Sequence, residues 1–261
     1  KSFLKNVLST IVGMVLAVFV IVLLFIGIVS VSMSSLNNDK EVTVKENSIL
    51  KINLAELSVV ERTSENPFEG LNFSGDLPKT IELKQVLDNI EKAKTDENIK
   101  AIYINTPYVS AGISQIEEIR NKLLEFKQTG KPIIAYSEVY NQAAYYLSSV
   151  ANTVYLNPEG IVEIKGLSAS IMFYKGLLDK LDIDVQIIRH GKFKGAVEPF
   201  ILDKMSKENR EQIQLLLNSV ADNIMDSIAN QRGLTLSEIQ RHADNLSLEN
   251  AKSCLNLNYV D

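Results

Sequence analysis

Between Asn6 and Asn38 the chain carries no charged residue. Within that interval residues 11–29 are apolar except for Gly13 and Gly27. A helix of about 20 apolar residues spans the hydrocarbon core of a bilayer, so this run reads as a transmembrane anchor. Lys1 and Lys5 precede it, and the next basic residue is Lys40. The bias of basic residues towards the cytoplasmic side places the N-terminus inside and the chain after residue 31 outside. A cleaved signal peptide is the competing reading, but its apolar stretch runs for only about 7–15 residues before a small-residue cleavage site. Ser32, Ser34 and Ser35 are small, yet the longer run favours an uncleaved anchor.

The chain as a whole has an ordinary globular balance. At 46% hydrophobic and 23% charged over 261 residues, disorder is not the default. A net charge of −5 argues against a broad nucleic-acid surface, which needs clustered Lys and Arg. Cys254 is the single cysteine, which excludes an internal disulfide and a Cys-based metal site. His190 and His242 are the only histidines, too few for a His-centred metal site.

Downstream of the apolar run, residues 32–45 read as a polar stalk. Residues 48–52 and 57–60 have the length and composition of short strands. Residues 61–79 hold Pro67, Gly70, Gly75 and Pro78 among polar residues and read as a loop. Helical spacing of apolar residues then predicts helices over 81–93, 114–126, 143–150, 172–181 and 206–230. Short apolar runs predict strands over 101–104, 132–136, 153–156, 161–164 and 185–188. Gly233 is placed to stop the long helix, and Thr235-Leu-Ser-Glu238 fits a capping box for the next one. Alternation of this kind indicates an α/β layered domain. No Gly-rich loop has Walker or Rossmann spacing, so a nucleotide-binding reading is weak.

Chemistry-bearing constellations are few. There is no Gly-x-Ser-x-Gly elbow and no Ser/His pair with useful spacing. Cys254 and His242 are a poor nucleophile pair, since the histidine falls in a helical segment of its own. Glu117 and Glu118 belong to the solvated face of a helix. The distinctive segment is Gly191-Lys-Phe-Lys-Gly-Ala-Val-Glu-Pro-Phe200, two lysines between glycines ahead of a Pro-Phe turn. Taken alone it is also compatible with a basic surface loop.

That segment resembles the lysine motif of the signal peptide peptidase A family. Lys131-Pro-Ile-Ile-Ala-Tyr136, Tyr145-Tyr-Leu-Ser-Ser-Val-Ala-Asn152, Val154-Tyr-Leu-Asn-Pro158 and Leu178-Asp-Lys-Leu181 are similar to further landmarks of the family, in order along the chain. Leu257-Asn-Tyr-Val-Asp261 is similar to its Leu-Gly-Leu-Val-Asp ending. Asn258 stands there for glycine, and Asn tolerates the left-handed conformation. The resemblance implies a crotonase/Clp-protease-like ββα spiral of α/β class behind a single N-terminal transmembrane helix. It divides the chain into an anchor (1–31), a stalk with first strands and loop (32–79) and a peptidase domain (80–261). It also implies a Ser/Lys-dyad serine endopeptidase that degrades remnant signal peptides. Lys194 takes the general-base position, with Lys192 as the alternative. A solvated lysine titrates near 10.4, and burial disfavours the ammonium, which is how a lysine becomes a base.

The nucleophile positions depart from the family's pattern. Tyr140-Asn-Gln-Ala-Ala-Tyr-Tyr146 stands where the family has Ala-Ser-Gly-Gly-Tyr, which puts Gln142 at the serine position. Asn105-Thr-Pro-Tyr-Val-Ser-Ala-Gly112 stands where the short form has Asn-Ser-Pro-Gly-Gly, with Tyr108 and Val109 replacing the glycines that let backbone amides face an oxyanion. Ser110, Ser148 and Ser168 are weaker stand-ins for the nucleophile. In the family's long form the N-terminal half gives the lysine and the C-terminal half the serine. The expectation is therefore the lysine-bearing half, inactive alone, with its serine on sequence beyond Asp261. The implied partners are hydrophobic signal peptides, membrane lipid and further copies of the protein, with no nucleic acid and no metal or organic cofactor. The implied location is the bacterial inner membrane, with the domain facing the periplasm. The alternative is a non-catalytic, membrane-tethered scaffold.

Overall fold

The computed structural model describes residues 2–36, 43–63, 79–188, 190–191 and 193–261. The chain divides into two units, Lys1–Val44 and Lys45–Asp261.

The first unit contains helix α1 (Ser2–Leu36). Lys5–Gly27 within it is long and apolar enough to cross a membrane, and none of those side chains is buried within the protein. A helix suits that environment because it satisfies each backbone N–H and C=O within the segment.

The second unit is built on a four-stranded parallel sheet, with β1 (Ser48–Ile52), β4 (Ile99–Ile104), β5 (Ile133–Ser137) and β6 (Thr153–Leu156) in that spatial order. A smaller parallel pair joins β2 (Ser58–Val60) to β3 (Thr80–Glu82). The α/β class expected from the sequence is the one observed. Parallel strands are stable when both faces are covered. Ile102, Ile104, Ile133, Ala135 and Val154 are accordingly fully buried. Helices α2 (Leu83–Thr95) and α3 (Ile113–Lys127) pack on each other and bury Ile90, Ala93, Ile119, Leu123 and Phe126. Each such large side chain contributes about 1.5–3 kcal/mol by leaving water. Lys131 closes the end of α2, its Nζ donating to the carbonyls of Ala93 and Asp96 at 2.8 Å each. A cation at a helix C-terminus also complements its dipole.

The remaining helices are α4 (Gln142–Ser148), α5 (Lys175–Lys180), α6 (Glu198–Ile201), α7 (Lys207–Arg232), α8 (Leu236–Asp244) and α9 (Ala251–Asn256). Arg120 of α3, 2% exposed, ties that helix to α4 and α7. It donates from Nη1 to Tyr146 O and Ser149 Oγ, and from Nη2 to Ser227 O, and its guanidinium lies 4.8 Å from the Tyr146 ring centroid. Burial pushes its pKa down to about 10.

Helix α7 stops at Gly233, whose φ of 67° is left-handed. The capping box at Thr235 forms as the sequence indicates, with Glu238 N donating to Thr235 Oγ1 and Thr235 N donating to Glu238 Oε2. Asn258 adopts φ 62°. It turns the tail so that Asp261 N donates to Val154 O at 2.9 Å and Val154 N donates to Asp261 Oδ2 at 2.8 Å. Arg232 grips both carboxylate oxygens of Asp261 at 3.1 Å.

Several expected elements differ. Residues 161–164 form no strand. Val162 and Ile164 are buried, but among the described residues the only pairing is a single bridge from Tyr140 to Val162. Residues 185–188 are irregular, and Ile188 is fully exposed. The helix expected over 81–93 begins at Leu83, because Thr80–Glu82 pairs with β2. The helix expected over 172–181 is shorter, Lys175–Lys180. Most of the loop expected over 61–79 and part of the stalk expected over 32–45 lie outside the described residues.

Candidate active site

The lysine segment follows the irregular stretch before it. Gly191 takes φ 100°, a conformation that a side chain disfavours. Lys194 then caps a single 3-10 turn, Gly195–Val197, which runs directly into α6. Pro199 at the start of α6 suits its fixed φ and lacks only an N–H that would be unpaired there. The turn is held on two sides. Tyr174 N donates to Pro199 O at 2.7 Å, and the Tyr174 and Phe200 rings stack at 5.9 Å. Opposite, Glu198 is 1% exposed and meets the N-terminus of α7 through Ser206 and Asn209.

Lys194 is exposed and lines an open hollow of about 900 Å³ together with Ile188, Phe193, Ala196, Val197 and Asn209. Ile188, Phe193, Ala196 and Val197 form its apolar part, and His190, Asn209 and Gln212 add polar groups beside the lysine. Lys192 lies outside the described residues.

Gln142 lies in a different hollow, of about 400 Å³, with Ile113, Ala143, Leu167, Val220 and Ile224. It opens α4, where the Asn141 side chain accepts the Ala144 N–H at 2.8 Å. Its own Oε1 accepts the Lys165 N–H at 2.7 Å. The side chain at the expected serine position is therefore an amide bonded to the backbone. The 105–112 loop keeps Tyr108 and Val109 where the family resemblance implies glycines. Its residues have no positive φ, and Pro107 O and Ser110 O accept the Asn141 and Val59 amides.

Of the stand-in serines, Ser110 shares a 2.8 Å hydrogen bond with Ser58 beside the small strand pair. Ser148 is wholly buried, and its Oγ has no hydrogen-bond partner among the described residues. Ser168 is exposed. Cys254 is also wholly buried, and burial pushes its thiol up. Burial and nearby Arg241 push His242 down, despite Glu238. Its Nδ1 lies 3.2 Å from the Tyr259 hydroxyl. These directions oppose a thiolate–imidazolium pair. No group of three or more His, Cys, Asp or Glu side chains is arranged to hold a metal among the described residues.

Sequence reasoning gave Glu198 no role and did not single out Asn209. The signal for Glu198 was a carboxylate next to a Pro-Phe turn, which periodicity does not weigh. Asn209 had none, because its contact is with a residue fourteen positions earlier in another element.

Comparison with known proteins gives a consistent result. Residues 125–261, more than half of the chain, match the peptidase family S49. "Protease 4" of Haemophilus influenzae is 35% identical over 168 residues, covering 64% of this chain and 27% of that protein. "Protease 4" of Salmonella typhi is 30% identical over 241 residues, 90% of this chain and 38% of that protein. "Serine protease SPPA, chloroplastic" of Arabidopsis thaliana is 29% identical over 160 residues, 61% of this chain and 24% of that protein. The matches thus span less than two-fifths of the length of these three relatives.

Proposed function

The chain belongs to peptidase family S49, and from that premise we propose that it is the lysine-bearing part of a membrane-anchored serine endopeptidase acting by a Ser/Lys dyad. Its fold is the crotonase/Clp-protease-like α/β fold of that family. The observation that carries the reading is the Lys194 turn. A lysine amine is presented on a braced turn at the rim of a partly apolar hollow, while Gln142 holds the position of the nucleophile.

In this reading the neutral Lys194 amine takes the proton of a serine hydroxyl as the serine Oγ bonds to the scissile carbonyl carbon. The resulting ammonium then gives that proton to the departing amine as the C–N bond breaks, leaving an acyl-enzyme. Water repeats the sequence on the ester and frees the serine. An exposed amine needs a cover to favour its neutral form. The serine-bearing sequence, placed beyond Asp261, supplies that cover together with the oxyanion donors.

The substrates are remnant signal peptides or similar membrane-derived peptides, whose apolar segments suit an apolar groove. In this reading the protein sits in the bacterial inner membrane, in contact with lipid, with its domain facing the periplasm; the apolar helix α1 and the position of Lys1 and Lys5 before it support this. Self-association would bury exposed side chains such as Ile183, Ile188 and Phe193.

A serine-directed fluorophosphonate tests the division of labour. The chain ending at Asp261 stays unlabelled, and the protein carrying its native downstream sequence is labelled at one serine. Labelling of a serine within residues 1–261 would contradict the proposal. A non-catalytic scaffold would leave both proteins unlabelled.

A further inference from the structure

We propose that Glu198, Ser206 and Asn209 form a buried clamp that positions Lys194 through Gly195; the inference rests on Lys194 as the base. The Glu198 carboxylate accepts hydrogen bonds from both of the other residues. Glu198 Oε2 accepts from Ser206 N at 3.1 Å and from Asn209 Nδ2 at 2.9 Å, and Glu198 Oε1 accepts from Ser206 Oγ. Asn209 N in turn donates to Ser206 Oγ at 3.1 Å. Glu198 is 1% exposed, and burial of a carboxylate is costly unless it is fully hydrogen-bonded.

A helix cap does not require this arrangement. Ser206 already satisfies the first turn of α7 through Asn209 N, as a capping serine ordinarily does. The carboxylate adds a fixed orientation for the Asn209 side chain. That side chain lies flat against Gly195, so closely that a Cβ there would fall 2.4 Å from Asn209 Cγ, 2.5 Å from Nδ2 and 2.6 Å from Oδ1. Gly195 is the residue after Lys194, and Glu198 closes the same turn, its N–H donating to Gly195 O. The lysine backbone is thus gripped by a residue whose own position is set by Glu198. Asn209 also lines the hollow that Lys194 faces. Glu198, Ser206 and Asn209 act as positioning residues, since Lys194 is the group that meets the reacting proton.

Displacing a catalytic group by about 1 Å can cost roughly 10²-fold in rate. The test uses the protein with its native downstream sequence and compares Asn209→Ala, Gly195→Ala, Glu198→Gln and Lys194→Ala. Active sites are counted with the serine-directed probe, and kcat and KM are measured for each. Asn209→Ala and Gly195→Ala are expected to lower kcat per labelled site by roughly 10- to 100-fold with KM little changed. Glu198→Gln keeps the shape and one acceptor, and retains more activity than either.

A loss that merely follows the number of folded sites, with kcat per site unchanged, overturns the clamp. So does wild-type kcat in Asn209→Ala and Gly195→Ala while Lys194→Ala is inactive. Full activity in Lys194→Ala instead removes the base assignment, which separates the two failures. Should Gly195→Ala not fold, the truncation Asn209→Ala and the isosteric Glu198→Gln decide the matter.

Discussion

Lys194, the proposed base, and Gln142, at the position expected to carry a serine, line separate hollows. The sequence singles out both, the first as a lysine between glycines and the second as an amide where the family resemblance implies a serine. The setting of each was not legible, because it depends on contacts distant in sequence. Nothing local in the Lys165 sequence says that its N–H will be taken by Gln142 at 2.7 Å. That bond predicts the behaviour of a simple repair. Gln142→Ser within residues 1–261 creates a hydroxyl without oxyanion donors, because the 105–112 loop keeps Tyr108 and Val109 in place of glycines. The variant is expected to show no peptide hydrolysis above buffer, and measurable turnover would show that the loop was misread.

A second prediction at this scale concerns pH. His242 has its pKa lowered by burial, so the folded state disfavours the imidazolium. Its contribution to stability is complete above the ordinary histidine value of about 6.5 and is lost as pH falls through the lowered value. The Asp261 carboxyl is also held low, burial being outweighed by Arg232 and the Val154 N–H. Its contribution disappears only in a separate, more acidic window. Urea midpoints measured downward from pH 7.5 should therefore decline, and His242→Gln should flatten the upper part of the decline. An unchanged slope in that variant would count against the assignment.

At the scale of elements, the strands that pair within the main sheet were readable. They are short runs rich in β-branched residues, bounded by polar turns, with buried positions that largely alternate with more exposed ones. Residues 161–164 show what such a pattern leaves out. Val162 and Ile164 alternate with more exposed neighbours, yet a strand also needs an adjacent strand, and only one bridge is available among the described residues. The pair β2–β3 was half missed for the converse reason, since Thr80–Glu82 is short and its partner is distant in sequence. The helices that cover the sheet were anticipated from their periodicity, but their fastening was not. Arg120 joins α3, α4 and the carbonyl of Ser227 in α7. Arg120→Met keeps much of the apolar stem but leaves buried carbonyls without donors, at a cost of ~3 kcal/mol. Urea denaturation should register that loss as a lower midpoint with little change in slope. A variant as stable as the parent would remove the fastening role.

At the scale of the molecule, the separation between Lys1–Val44 and Lys45–Asp261 carries a prediction about location. The protein should remain with the membrane after an alkaline carbonate wash, whereas a version beginning at residue 45 should be recovered from the aqueous phase. Retention of the shortened version through that wash would indicate a second membrane-binding surface. The central claim is that the Lys194 amine is the base for a serine lying outside residues 1–261. The most direct measurement is hydrolysis of an apolar signal-peptide substrate by the protein with its native downstream sequence, with and without Lys194→Ala. Loss of the general base is expected to lower kcat by roughly 10²–10⁴-fold, with the chain ending at Asp261 inactive in parallel. Equal rates with and without the lysine amine, or turnover by residues 1–261 alone, would contradict the account.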